Sequence, residues 1–191
     1  MEEYSQKERE VWLQIRTRAF WLLEHSEEII PKWALFGMGF PHWRFWHYAV
    51  KSPMRSWAIF CSPAHHDKPA RAAVREVTWL SAADLEKVHH PAESLSHGWD
   101  MTPMLEVRDV EVNIEKLEQI LQGCHKLMVP LIPRENNAEI GGEELYGLEC
   151  TWPLHRLQWS GHGFAAWKDV IHWNTNVRAF LQECLTGVEP R

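Results

Sequence analysis

The sequence predicts an α+β fold: an antiparallel sheet of about 5–7 strands, with a long N-terminal helix and a C-terminal helix packed on it. Three observations predict it. Short apolar or aromatic-rich segments with two-residue alternation outnumber helical ones and are joined by short links. Apolar residues recur at helical spacing near both ends of the chain. The βαβα alternation of a parallel sheet is missing, so we expect the helices on one face of the sheet.

Ser5 and Glu8 form an S-x-x-E capping box, and Trp12, Ile15, Ala19 and Leu22 follow on one side of a helix. Pro31 ends it or opens a new turn, and residues 32–41, with Gly37 and Gly39, form a connection. Residues 42–50 (HWRFWHYAV) and 56–62 (SWAIFCS) read as two strands, with 51–55 as the hairpin loop between them. Residues 62–70 form a loop, and 74–80 a third strand with Val77 and Trp79 on one face. Ser81 and Asp84 repeat the capping-box spacing before a short helix through about Val88.

Residues 89–103 are polar and irregular. A strand over 104–112 changes apolar phase near Arg108 and Asp109, which predicts a bulge or an edge. Asn113 caps a helix carrying Ile114, Leu117, Ile120 and Leu121, with Gly123 as its C-terminal stop. Residues 126–132 predict a short edge strand interrupted by Pro130, and 134–143 a solvent loop. Tyr146, Leu148, Cys150 and Trp152 share one strand face, and His155, Leu157 and Trp159 repeat the alternation after Pro153. Residues 160–163 break it before a helix presenting Trp167, Val170, Ile171, Asn174, Val177 and Leu181. With no repeat and no linker, residues 1–191 read as one domain.

The net charge is −6, from 20 basic and 26 acidic residues. Nucleic-acid and anionic-membrane binding draw on clustered Lys and Arg, which are scattered here, so neither is expected; a basic protein partner is. The polar, acidic start of the chain has no secretory pattern, and no apolar run is long enough to span a bilayer. Cys61, Cys124, Cys150 and Cys184 are widely spaced, which predicts free thiols in a reducing, cytoplasmic setting.

Among candidate chemical groups, Cys61, His65, His66 and Asp67 combine zinc-ligand types, but no C-x₂-C or H-E-x-x-H spacing accompanies them. Cys61 is in phase with Trp57 and Ile59, as a core thiol would be. Cys150 and His155 flank a turn and could pair as nucleophile and base, although Cys150 also shares the face of Leu148 and Trp152. His89, His90, His97 and Asp100 lie in the polar middle stretch, where binding loops occur; two histidines at a helix end also suit its dipole. His162 lies between turn glycines, and His172 on a helix beside Trp173. No G-x-G-x-x-G, P-loop or G-x-S-x-G motif is present, and we expect no cofactor, no metal and no catalytic set.

Twelve tryptophans run along the chain, serving either as core or as an exposed contact surface. For binding we select Trp43, Trp46, His65, His66, His97, Trp99 and Asp100.

Tyr146 and Leu148 on one strand and Trp159 on the next lead into Ala165-Ala166-Trp167-Lys168-Asp169-Val170-Ile171 and Val177-Arg178-Ala179-Phe180-Leu181 on the closing helix. Over about 40 of 191 residues this resembles the ending of several small bacterial α+β proteins, some of them immunity proteins of polymorphic toxin systems. The resemblance implies no site residue. The expectation is a non-enzymatic protein-binding module, an immunity-type inhibitor of a toxin being one form. The alternatives are a small enzyme or metal- or ligand-binding protein using the loop histidines, and a structural oligomer subunit.

Overall fold

The structure, a computed structural model, describes residues 5–29, 41–49, 53–65, 68–89, 101–127, 144–151, 154–160 and 167–187. Its elements in chain order are α1 (Gln6–Glu24), β1 (Trp43–Ala49), β2 (Met54–Ser62), β3 (Arg71–Trp79), α2 (Ser81–His89), β4 (Leu105–Val112), α3 (Ile114–Leu121), β5 (Glu144–Thr151), β6 (Leu154–Ser160) and α4 (Lys168–Thr186). Short 3₁₀ turns at Ser26–Glu28 and Gln122–Lys126 follow α1 and α3. The fold is α+β, as expected: the strands form one six-stranded antiparallel sheet in the order β4-β3-β2-β1-β5-β6. Among the described residues no helix is long and apolar enough to cross a membrane.

Helices cover both faces of the sheet, not one. Because side chains alternate along each strand, the register sorts them into two sets. Phe45, Trp57, Ile59, Val74 and Leu148 point to the front face, where Leu117 of α3 and Val170, Trp173, Val177 and Leu181 of α4 cover them. Trp46, Tyr48, Val77 and Trp79 point to the back face, under Val11, Ile15, Ala19 and Leu23 of α1 and Val88 of α2. Full burial of each large apolar side chain contributes about 1.5–3 kcal/mol. A second helical layer doubles the number of strand positions that can be buried this way.

The ends of α1 and α3 follow local chemistry. The Ser5 hydroxyl accepts from Glu8 N at 3.2 Å, and the Glu8 carboxylate accepts from Ser5 N at 2.6 Å, closing the expected capping box. Asn113 caps α3 by accepting from Lys116 N at 2.9 Å. β4 is an edge strand whose pairing with β3 runs unbroken from Leu105 to Val112, so the edge alternative holds without a bulge.

Other expectations are corrected. Met54 and Arg55 belong to β2 rather than to a loop, and β3 begins at Arg71. Ser81 and Asp84 form no capping box. Ser81 is the first residue of α2, and Leu80 O accepts from Ala83 N and Asp84 N. The Asp84 carboxylate is fully buried and accepts instead from Trp79 Nε1 at 2.7 Å and Met104 N at 2.9 Å. Gly123 does not end α3 by a left-handed turn. It lies in the following 3₁₀ turn, where an added Cβ would sit 2.9 Å from Trp173 Cδ1. Lys126 closes that turn rather than opening a strand. The rest of the expected strand over 128–132, the 134–143 loop and the 161–163 break lie outside the described residues.

Candidate functional site

Antiparallel register lines up residues across the sheet, and two such rows carry polar groups. On the back face the row is Asp109, Arg75, Ala58, Arg44, Glu149 and Arg156, one from each strand. On the front face it is Glu106, Thr78, Arg55, His47, Tyr146 and Trp159. Their charge balance separates a structural row from a candidate site.

The back row is internally neutralised. Arg75 is almost fully buried and grips Asp109 through two hydrogen bonds of 2.8 Å, with a third to Ser26 O at 3.3 Å. Arg44 pairs with both Glu27 and Glu149. Arg156 pairs with Glu24 at 2.6 Å and stacks over the Trp46 ring at 4.8 Å. These contacts tie the end of α1 and the turn after it to the sheet. A cation whose charge is already met by carboxylates has little left for a ligand, so this row holds the fold together.

The front row opens into a cleft between the sheet and α4. It has a volume of about 400 Å³ and is lined by His47, Arg55 and Trp57 from the sheet and Thr175, Arg178 and Gln182 from α4, among others. The His47 imidazole stacks parallel to the Tyr146 ring, with centroids 4.5 Å apart, and Tyr146 stacks in turn on Trp159. The Arg178 guanidinium lies over the other partner of this column, 4.6 Å from the Tyr146 centroid. The Tyr146 hydroxyl donates to Glu144.

Two cations share the cleft but differ in their partners. Arg55 donates to Gln182 Oε1 at 3.2 Å and lies 3.7 Å from the buried carboxylate of Glu76. Burial raises the Glu76 pKa, with Arg55 opposing it. Arg178 is half-buried and has no carboxylate within ion-pair distance among the described residues, although the Tyr146 hydroxyl and the Glu144 charge both act on it, and its Nε lacks a hydrogen-bond partner. Burial lowers the Arg178 pKa, but a guanidinium remains protonated at neutral pH. Burial, and then the Arg178 charge, also lower the His47 pKa, while Glu144 at 3.9 Å opposes them. The imidazole is therefore neutral at neutral pH, with Nε2 buried and without a hydrogen bond.

Of the residues selected from sequence, the described ones, Trp43, Trp46 and His65, do not line this cleft. Trp46 is buried beneath α1, against Gly147, where a Cβ would fall 1.9 Å from the indole. Trp43 is half-buried beside Phe45 and Trp173. His65 is exposed in an isolated bridge with Lys68. His66, His97, Trp99 and Asp100 lie outside the described residues. Among the described tryptophans only Trp21 is exposed, stacked on His25 beneath Arg18.

The thiols of Cys61, Cys124 and Cys184 do not resemble activated nucleophiles. Burial pushes the Cys61 thiol up to about 11, and it raises Cys124 and Cys184 as well. Cys150 and His155 are paired positions in the backbone register of β5 and β6, and Cys150 is buried. Among the described residues no three His, Cys, Asp or Glu side chains gather as metal ligands would.

Sequence reading missed His47, Arg55 and Arg178. The available signal was Thr175, Arg178 and Gln182, spaced three and four residues apart as a polar stripe beside the apolar face of α4. Comparison with protein-family models, curated proteins and solved structures yields no match.

Proposed function

We propose that the protein is a non-enzymatic recognition domain whose binding site is the cleft between α4 and the front face of the sheet, and whose ligand presents an anionic group there. One observation carries this: Arg178 is a half-buried guanidinium lining a cleft, with no carboxylate within ion-pair distance among the described residues and only the farther charge of Glu144 opposing its own. A partly desolvated cation is costly to leave unneutralised, and an incoming anion gains the strong, directional hydrogen bonds of a guanidinium. Trp57 and the aliphatic part of Gln182 give the same cleft apolar surface, the usual mixture of a ligand site.

The test is NMR titration with a panel of carboxylate, sulfate and phosphate compounds. Saturable shifts should centre on His47, Arg55, Thr175, Arg178 and Gln182, and should disappear in a folded Arg178→Met variant. Shifts elsewhere on the surface, or none with any anion, would refute this reading.

A protein partner of basic character, as for an immunity-type inhibitor, is the second reading. Support comes from the net charge of −6 and from the C-terminal unit, in which β5, β6 and α4 do pack through Tyr146, Leu148, Trp159 and Trp167. Coexpression with a toxin encoded beside this chain tests it: a stoichiometric complex supports the reading, and independent elution opposes it.

A further inference from the structure

We infer that the anchoring group of the ligand is a dianionic phosphate-type oxyanion on a small molecule, and that His47 takes up a proton as this group docks. The inference rests on the cleft being the recognition site.

The placement of charges leads to it. Arg55 faces Glu76 at 3.7 Å, whereas Arg178 has no carboxylate within ion-pair distance among the described residues and feels Glu144 only from farther away, so Arg178 is the described cation of the cleft best placed to meet an anion. A single negative charge, such as a carboxylate, is met by Arg178 alone. A second negative charge needs another cation, and His47 is the group able to become one. Among the described residues, four charged or titratable groups face the imidazole: Arg55 from β2, Glu144 and Tyr146 from β5, and Arg178 from α4. Without an anion, burial and then the guanidiniums hold the pKa of the ring down. A dianion reverses their effect by placing negative charge between Arg178 and the ring, and Glu144, 3.9 Å from Nε2, already favours the protonated form. Protonation makes both ring nitrogens donors, so with Nε2 toward Glu144 the ring still gains a positive charge and a second N–H beside the cleft. The cleft volume of about 400 Å³ suits a small molecule rather than a folded partner.

Sulfate is the probe, because it remains dianionic across the histidine range, and acetate is the monoanionic control. Ring-proton NMR follows the His47 midpoint with and without each anion, and calorimetry follows affinity from about pH 5 to about pH 8. Sulfate should raise the midpoint and acetate should not. Sulfate affinity should fall by up to about tenfold per pH unit between the bound and free midpoints, the slope for one linked proton. In His47→Gln the affinity should become independent of pH, and in Arg178→Met sulfate binding should be lost.

If sulfate binds in the cleft but leaves the His47 midpoint unmoved, or acetate raises it equally, the inference fails and the recognition cleft stands. If neither anion perturbs the cleft, both are overturned.

Discussion

Replacing Asp84 by alanine should be among the most damaging single changes in the molecule. The carboxylate is fully buried and serves three elements at once: Oδ2 accepts from the Trp79 indole on β3 and from the Met104 backbone just before β4. Oδ1 lies 3.2 Å from Lys87 Nζ on α2. Alanine leaves the buried Trp79 N–H and the part-buried Met104 N–H without their acceptor, at about 1–3 kcal/mol each, the Trp79 loss being the larger. Lys87 is partly exposed and can turn to water, so its loss adds little. The expected destabilisation is about 3–5 kcal/mol, a large part of the roughly 5–15 kcal/mol available to a domain. Urea unfolding followed by tryptophan fluorescence measures it. Asp84→Asn keeps an oxygen for the two donors and should cost far less. In a cycle with Trp79→Phe, the alanine cost should shrink by the indole's share, about 1–3 kcal/mol. An Asp84→Ala protein within about 1 kcal/mol of the parent would show that the carboxylate is not the pin described.

Gly147→Ala drives a methyl group into the buried Trp46 ring and should cost at least about 1–3 kcal/mol in urea unfolding. Trp46→Phe should relieve part of that cost in the double variant, and strict additivity would contradict the contact. Glu76 has a folded-state pKa raised by burial, so the folded protein binds more protons than the unfolded one between the ordinary and the raised value. Stability therefore falls as pH rises through that window. Glu76→Gln removes the decline, and its stability relative to the parent should improve from about pH 4 to about pH 7. A difference that is flat with pH would count against the buried carboxylate.

The features legible in the sequence are those fixed by a few neighbouring residues. The Ser5–Glu8 capping box and the Asn113 cap need only one turn of chain, and both form. Ser81 and Asp84 carry the same spacing and form no box, because Trp79 and Met104 claim the carboxylate. β3 begins earlier than alternation alone predicts, for a related reason. Its residues are buried on both faces, so Ala72 and Ala73 show no alternation between apolar and polar. The cleft was least legible of all. It brings together positions 47, 55 and 178 through strand register and helix docking, neither of which sequence spacing encodes. Adjacent histidines stand out in the sequence, yet among the described histidines His47, embedded in an aromatic strand, lies under the influence of two guanidiniums.

The sheet order also governs assembly. Strands β1 to β4 are laid down next to one another in the order of the chain, but the other side of β1 pairs with β5, whose first residue is Glu144. A ribosome must therefore deliver about a hundred residues beyond β1 before that side can close. Until then an aromatic strand, Trp43 to Ala49, presents open hydrogen-bonding groups that any stray strand could occupy. Slow, late closure of β1 against β5 is the step at which this chain is most exposed to clumping with its own copies.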